Sequence, residues 1–323
     1  MTVPAGTYQR FQQIGVREDL SDIIFNIDPV ETPVVSTMTK VKATNTLHEW
    51  QTDVLDAAAA NTKVEGDDAT VNTATPTVRL QDYAQIMTKV VSISGTAQAV
   101  DTAGRDDEES YQLAKRGKEL KRDLEFAIVR NQASSAGSAS VARTMAGMEG
   151  WIFTNRSSVG TGTAQTTPGY TAGNVASPTD STAAGSVSET IFKALIQQAW
   201  SAGGNPRSIY VNGTGKQKIS GFTGIATQYR DNRGTGQATI LGAADVYVSD
   251  FGVHNIIPCR QMRTSVILGL DMDYWKLATL RNMERTALAK TGDSDKTMLV
   301  WEGTLEACNE KASFKISDIN FAL

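Results

Sequence analysis

One stretch of the chain lacks the large side chains that a folded core needs. Residues 51–82 contain no aromatic residue, isoleucine or methionine, and only two leucines. On either side of its small and polar centre, residues 46–55 and 78–95 are rich in β-forming residues. We therefore predict a long hairpin within residues 41–95. Because two strands without large side chains do not stabilise themselves in water, this hairpin should rest on another surface.

The most regular helical pattern runs from residue 106 to about residue 132. Its apolar residues recur along one stripe, at Leu113, Leu120, Leu124 and Ile128. Acidic residues come first and basic residues follow, an order that the helix dipole favours. At ~1.5 Å per residue this spine helix would be about 40 Å long. Gly117 lies on the stripe; since glycine costs a helix ~1 kcal/mol, we expect another backbone to pass close to it.

Two further segments should not form a core of their own. Residues 1–40 combine a short helical pattern at 19–27 with Pro29 and Pro33, and each proline favours an extended residue before it. We expect this arm to lie across another surface. Residues 156–189 are almost entirely Gly, Ser, Thr, Ala and Pro. This composition predicts a mobile loop, and its length indicates that it is functional or ordered by a neighbour.

The rest of the chain alternates between helices and strands. Ser188 is a suitable N-cap for a helix that reaches residue 200. A second helix is predicted from residue 214 to 222. Strands are predicted at residues 208–212, 245–250, 253–258 and 264–270, and the β-rich end from residue 273 has a turn at 291–295. The fold class is therefore α+β, with a long helix against an antiparallel sheet.

Composition and charge narrow the class of protein. The net charge is −4 and no block of Lys or Arg stands out, which argues against a sequence-reading nucleic-acid protein. A small net charge is compatible with a container for DNA, because an inner wall that bound phosphate strongly would hinder DNA packing and release. Cys259 and Cys308 fit a reducing compartment without a disulfide framework. We find no signal-peptide pattern and no apolar run of the ~20 residues that a membrane span needs, so we expect a cytoplasmic origin and no membrane partner.

No residue pattern indicates catalysis or metal binding. His48 and His254 have no partner at ligand spacing, and the two cysteines add none. Residues 213–216 (GTGK) lack the first glycine of a phosphate loop and predict a strand-to-helix turn. The clustered aspartates fall at predicted turns, where backbone hydrogen bonding explains them: Asp67, Asp68, Asp271, Asp273, Asp293 and Asp295. We predict no catalytic, cofactor-binding or metal residue, and no enzyme.

The order of these segments and their amino-acid sequences resemble those of the major head proteins of tailed bacteriophages. The resemblance covers residues 16–318 and includes VREDLSDIIFNIDPVETPVVS, TKVVSISGTAQAV, ESYQLAKRGKELKRDLEFAIVRNQ, GGNPRSIYVNGTGKQKISGF, LAKTGDSDK and TLEACNEKASFKI. It implies the tailed-phage major capsid protein fold, which encapsulin shells share. In that fold the hairpin and arm would lack a core because their partner is another chain.

The resemblance also implies a division of the chain. Residues 1–41 would form an N-terminal arm, and residues 42–95 an extended loop over a neighbouring subunit. Residues 96–145 and 273–323 would form a peripheral domain that contains the spine helix. Residues 146–272 would form an axial domain, which meets its copies around five-fold and quasi-six-fold axes.

The implied function is that of a major capsid protein. Copies would assemble through homo-pentamers and homo-hexamers into the icosahedral head, part of the virion, that encloses double-stranded DNA. Other implied partners are a portal, decoration proteins and a scaffold, with non-specific contact to the packaged DNA. Since the arm-like segment begins within twenty residues of Met1, we expect the scaffold to be a separate protein. Some relatives form Lys–Asn cross-links, but no motif supports one between Lys63 and Asn309.

Other functions are less well supported by the sequence. An encapsulin-type shell around protein cargo would have the same fold and would differ in what co-purifies with it. A tail-tube or decoration protein would be smaller and all-β, without a spine helix. A cytoplasmic hydrolase would need a catalytic constellation that we do not find.

Overall fold

The computed structural model describes residues 31–68, 74–100, 107–161, 169–222 and 245–321. The helical pattern expected at residues 19–27 lies outside these ranges. The helices are α1 Pro33–Thr37, α2 Gly95–Ala99, α3 Glu108–Val129, α4 Met148–Trp151, α5 Glu189–Ser201 and α6 Gly213–Ser220. Short 3-10 helices occupy Met272–Tyr274 and Glu310–Ala312. None of the helices in the described part of the chain is long and apolar enough to span a bilayer.

The strands form two sheets and two hairpins. They are β1 Thr39–Lys42, β2 Leu47–Thr52, β3 Val78–Tyr83, β4 Gln85–Ser94, β5 Arg156–Ser158, β6 Gly169–Thr171, β7 Asn174–Ala176, β8 Ser208–Val211, β9 Val246–Ser249, β10 Gly252–Pro258, β11 Ile267–Leu270, β12 Trp275–Leu288, β13 Ser294–Ala307 and β14 Phe314–Ser317. One sheet has the order β1-β12-β13-β4 and the other β5-β14-β11-β8-β10-β9. The pairs β2–β3 and β6–β7 form the hairpins.

The spine helix α3 packs on one face of the four-stranded sheet. Its start is capped by Asp107, whose carboxylate accepts hydrogen bonds from the backbone N–H groups of Glu109 and Ser110. Three residues of the predicted stripe are buried in the core shared with the sheet: Leu120, Leu124 and Ile128. The helix ends at Val129, earlier than the predicted residue 132, because Arg130 adopts an extended conformation.

The expectation for Gly117 was wrong. No other part of the described backbone passes close to this residue: among the described residues, a Cβ atom added there would meet only the Met283 Sδ, at 3.9 Å. That separation is an ordinary van der Waals contact. Gly117 therefore lowers the helix propensity of α3, and no contact in the described chain requires a glycine at this position.

The six-stranded sheet has a hydrophobic core of its own. Helix α5 begins after Ser188, whose hydroxyl accepts a hydrogen bond from the Ile191 N–H, as the sequence predicted. Its Phe192 is fully buried and contacts Tyr247 and Phe314 edge to face, with ring centroids 5.1 and 5.9 Å apart. Strand β14, near the chain end, pairs with β5 and β11 and completes this sheet.

Three segments pack differently from what their composition predicted. Residues 78–95 form two strands rather than one: β3 pairs with β2, whereas β4 pairs with β13. The described end of the arm packs on its own chain, with Val34 buried and β1 parallel to β12. The described parts of residues 156–189 include β5 and the β6–β7 hairpin, so they are ordered by this chain as well.

The arm is held by a buried carboxylate on the spine helix. Glu125 accepts hydrogen bonds from the backbone N–H groups of Val34 and Val35, at 2.9 and 2.7 Å, at the start of α1. Burial raises the pKa of Glu125 above its ordinary value. These two donors are among the unpaired N–H groups of a helix start, which explains why an acidic residue is tolerated inside α3.

Candidate functional site

The predicted hairpin has two structurally different parts. Strands β2 and β3 form a ladder in which His48 faces Asp82 and Trp50 faces Leu80; we call these two strands the foot. Residues 53–68, which we call the span, are exposed throughout and contain no helix or strand. The structure therefore restricts the hairpin pairing predicted for residues 41–95 to a short ladder at its base.

The foot rests on a row of buried polar residues. Glu302, Thr304 and Glu306 alternate along β13 and so share one face of the strand. The Glu306 carboxylate accepts hydrogen bonds from the His48 Nε2 at 2.9 Å and the Lys276 Nζ at 3.1 Å. The hydrogen bond from His48 is the main reason why the pKa of Glu306 falls to about 2. The hydrogen bond from His48 joins the foot to the four-stranded sheet.

The other end of the row is satisfied by two arginines. Glu302 accepts hydrogen bonds from the Arg143 Nη2 and the Arg281 Nε, each at 2.7 Å. Arg143 lies in the connection between α3 and α4, and Arg281 lies on β12. The row therefore links the foot, the sheet and the chain that follows the spine helix.

Asp82 is a second buried acid at the foot. Its carboxylate accepts hydrogen bonds from the backbone N–H of Tyr83 at 2.8 Å and from that of Ala146 at 3.0 and 3.2 Å. Burial raises the pKa of Asp82 to about 8, although these backbone donors act in the opposite direction. An acidic side chain thus fixes β3 to the segment before α4, inside the protein.

Aromatic side chains complete the attachment of the foot. The Trp50 indole N–H donates to the Ala307 carbonyl at 3.0 Å. Its ring lies 5.5 Å from that of Trp151, which stacks on Tyr170 at 5.8 Å with an interplanar angle of 4°. The Gln81 amide also donates to the Gly173 carbonyl at 3.0 Å. The foot is therefore tied to α4 and to the β6–β7 hairpin.

The span carries apolar side chains that nothing in the described chain covers. Val54, Leu55 and Val64 are 70%, 93% and 80% exposed. Scattered apolar side chains are normal on a surface, but here they lie on a segment without regular structure of its own. The span therefore presents apolar side chains from a firmly attached base.

A second uncovered surface lies on the four-stranded sheet. Ile86 and Val90 on β4 are 47% and 50% exposed. The alternate residues Met87 and Val91 are buried, on the side where the Lys89 Nζ pairs with the α3 residue Asp123 at 2.6 Å. We call the exposed part of this side, at Ile86 and Val90, the open face of the sheet. Helix α3 covers the other side, and the row that begins at Glu302, the cross-strand partner of Ile86, is covered on this one.

The histidines and cysteines occupy separate places. His254 is buried and donates from Nδ1 to the Pro206 carbonyl at 2.6 Å, and burial lowers its pKa. Burial raises the pKa of the Cys259 thiol to about 12. Cys308 donates to Glu306 and so lies near His48. Within the described ranges, no three His, Cys, Asp or Glu residues are grouped so that they could hold a metal ion.

The remaining sequence candidates have local structural contacts. Residues 213–216 begin α6 behind the N-cap Asn212, and Lys216 pairs with Asp245 at 2.6 Å. Asp271 accepts from the Asn205 N–H at 2.9 Å and caps a 3-10 helix. Asp295 pairs with Lys290 at 2.5 Å beside the β12–β13 turn.

Sequence reasoning missed the buried acids of the foot. The sequence feature that could have indicated such an acid was Asp82 itself, an acidic residue inside the β-rich segment VRLQDY. A lone carboxylate in a strand usually faces solvent, so the pattern did not distinguish a buried partner from an exposed one.

Comparisons with known proteins agree on the type of protein that this chain resembles. A family model described as SU10 major capsid protein matches residues 3–320. A stretch of 124 residues is 39% identical to the major capsid protein of Escherichia phage Phieco32. That match covers 38% of this chain and 35% of the phage protein, so the chain matches about a third of the length of this relative.

Solved structures confirm the predicted fold. The Cyanophage A-1(L) capsid asymmetric unit superposes with a TM-score of 0.65 at 12% identity, covering 94% of this chain and 97% of that one. The holo-SrpI encapsulin complex from Synechococcus elongatus PCC 7942 gives 0.53 at 10% identity, covering 93% and 94%. The architecture is therefore the tailed-phage major capsid protein fold that encapsulins share.

Proposed function

The chain belongs to the SU10 major capsid protein family, and from that premise we propose that it assembles through pentamers and hexamers into an icosahedral phage head around double-stranded DNA. It would be a structural component of the virion rather than an enzyme. The observation that carries the proposal is the hairpin, whose foot is attached to its own chain by polar and aromatic contacts while its span is exposed. The exposed apolar side chains of the span contribute binding free energy only when another molecule buries them.

The partner of the span would be the open face of a neighbouring copy. The span offers Val54, Leu55 and Val64, and the open face offers Ile86 and Val90. Burying one such side chain contributes about 1.5–3 kcal/mol relative to leaving it exposed. A few of these contacts per subunit, repeated around a closed shell, would stabilise the lattice without stabilising the isolated chain.

The division of the chain that the resemblance implied fits this assignment with one adjustment. We propose an arm at residues 1–41, an extended loop at 42–95, a peripheral domain at 96–145 and 273–323, and an axial domain at 146–272. Strand β14 pairs with β5 and β11 in the six-stranded sheet. The end of the chain would therefore return from the peripheral to the axial domain.

The charge on the spine helix supports contact with DNA. Lys115, Lys118 and Lys121 are exposed along α3, on the opposite side of the sheet from the open face. Such side chains can neutralise phosphates without reading sequence. We propose that this side faces the packaged DNA, while a portal, a separate scaffold and decoration proteins are further partners.

Negative-stain microscopy of the expressed protein tests the assembly. Wild-type chain should form closed shells, tubes or capsomer rings. Deletion of residues 57–68, most of the span, should leave a soluble subunit with an unchanged melting temperature that forms no closed shell. A matched variant that keeps the length of the span but replaces those residues by Gly and Ser should assemble poorly. Normal heads from the deletion variant would overturn the role of the span.

An encapsulin-type shell is the second candidate, because the SrpI encapsulin shares the fold over most of both chains. The two functions differ in their contents. Particles of a phage head should contain nuclease-protected double-stranded DNA when produced during infection, whereas an encapsulin-type shell should contain a specific protein. Analysis of purified particles for nucleic acid and for a co-purifying protein distinguishes them.

A further inference from the structure

Four parts of the chain meet at the carboxylate of Asp82. The residue lies on β3, and its oxygens accept hydrogen bonds from Ala146, which precedes α4. The Trp151 indole N–H on α4 and the Thr304 hydroxyl on β13 also lie near this carboxylate and lower its pKa. Neither of them completes a hydrogen bond of normal geometry, and both are buried without another partner. The site thus holds one buried acid and more donors than the acid engages.

The charged groups around Asp82 are engaged with other partners. His48, its cross-strand neighbour on β2, donates to Glu306 on β13, which also binds Lys276 on β12. Glu302, two residues before Thr304, is held by Arg143 and Arg281. Glu149 on α4 pairs with Arg263. None of these cations forms an ion pair with Asp82 in the described chain, so no counter-charge offsets the cost of ionising this buried carboxyl group.

We propose that Asp82 is the positioning residue of the extended loop: its buried carboxyl group fixes the angle at which the foot leaves the body, and the foot loosens as pH rises. The proposal deepens the assembly function above and rests on it, because the angle of the foot determines where the span reaches a neighbouring copy. The hydrogen bonds from Ala146 and Tyr83 give the residue its geometric role. The lack of a neutralising cation gives it sensitivity to pH.

The sign of the pH effect follows from proton linkage. The pKa of Asp82 is raised from 3.8 to about 8 by burial, so between these values the closed foot holds a proton that an opened foot would release. The stabilising effect of this proton is fully present below the lower pKa and is lost as pH rises through the upper one. Opening of the foot should become up to about tenfold easier per pH unit in this window and should then level off.

Hydrogen exchange of the full-length chain tests the proposal. Protection factors, corrected for the intrinsic rate at each pH, are measured from about pH 5 to about pH 9.5 for the amides of the foot and of residues 146–151. In the wild type they should fall several-fold to tenfold per pH unit and level off near pH 8. In Asp82→Asn, which mimics the neutral acid, they should not change with pH. The β4–β13 ladder should behave alike in both proteins.

Two matched variants keep the test decisive. Asp53→Asn alters an exposed acid at the start of the span and should retain the wild-type profile. His48→Gln removes the imidazole that faces Asp82 and its hydrogen bond to Glu306, so it should lower the protection of the foot at every pH while the pH dependence stays; if the pH dependence disappears, it does not come from Asp82 and the proposal is wrong. If Asp82→Asn does not fold, the wild-type profile still decides, since a flat curve, or a fall that levels off near pH 6 instead of near pH 8, excludes Asp82.

The exchange experiment does not depend on shell formation. A subunit that forms no shells can still show the Asp82 profile, in which case the assembly proposal fails and the positioning role within the chain remains. Conversely, normal shells with a flat exchange profile would leave the assembly function intact and remove Asp82 from it.

Discussion

Phe192 and Leu55 are both large apolar side chains, yet they belong to regions that are stabilised in different ways. Phe192, on α5, is fully buried against β9 and β14, in a core formed by the chain itself. Leu55 is 93% exposed on the span, which begins directly after a foot fixed by buried acids. The comparison shows that a chain can place firm attachment and uncovered apolar surface side by side in one hairpin.

The physical reason is a division between self-sufficient and dependent segments. The two sheets and the helices packed on them, which we call the body, bury enough apolar surface to offset the entropic cost of ordering their backbone. The span cannot do this, because its large apolar side chains are few and exposed: Val54, Leu55 and Val64. Variants in each region should therefore differ in whether they affect the free chain or only the assembled shell.

The largest effect on the free chain is expected in the body. Phe192→Ala should lower the free energy of unfolding of the unassembled chain by about 3–5 kcal/mol, because it removes a ring from a core that can only partly collapse. Denaturant unfolding measures this loss. Phe126→Ala, which truncates a 44% exposed ring on α3, should lower the free energy of unfolding by less than about 1 kcal/mol. Similar losses in both variants would mean that the six-stranded sheet does not stabilise the free chain.

The foot should show an intermediate effect that depends on pH. The pKa of Glu306 is lowered from 4.5 to about 2, first of all by the hydrogen bond from His48. The corresponding stability is present above pH 4.5 and is lost as pH falls through about 2. Glu306→Gln should therefore cost about 1.5–3 kcal/mol near neutral pH and little at the acidic end.

Thermal unfolding at a series of pH values checks this prediction. The matched control is Glu284→Gln, which alters an exposed acid on β12 and should leave the pH dependence unchanged. If the wild type and Glu306→Gln lost stability in parallel on acidification, the hydrogen bond between His48 and Glu306 would not be what holds the foot.

The contrast between local and distant contacts also explains what the sequence could predict. The spine helix and the α5 helix follow from periodicity and from caps within a few residues, so they were predicted nearly to their ends. The foot depends on Asp82 and Ala146, 64 residues apart, and on His48 and Glu306, 258 residues apart. No spacing rule connects such pairs, and the same holds for the break at Ala84, where β3 ends and β4 joins another sheet.

A smaller effect of opposite sign is expected at Gly117. Gly117→Ala should raise the free energy of unfolding by up to about 1 kcal/mol, since alanine is the better helix former and only the Met283 Sδ lies near the new methyl group. The control is Gly147→Ala, whose Cβ would lie 1.8 Å from the Arg130 carbonyl oxygen and should destabilise the chain. A loss of stability in Gly117→Ala would indicate that a backbone does pass close to Gly117, as the sequence analysis expected.

The smallest effect on the free chain should occur at Leu55, and there the two regions separate most clearly. Leu55→Ser should change the free energy of unfolding by less than about 0.5 kcal/mol, because the side chain is 93% exposed and is not covered by the described part of its own subunit. The same substitution should raise the subunit concentration needed for shells to form, since each subunit loses apolar surface for a neighbour. Leu55→Met keeps that surface and should assemble normally. Light scattering during assembly and denaturant unfolding of free subunits measure the two quantities independently. If Leu55→Ser destabilised the free subunit as much as the shell, the span would have a partner within its own chain, and the distinction between self-sufficient and dependent segments would not hold.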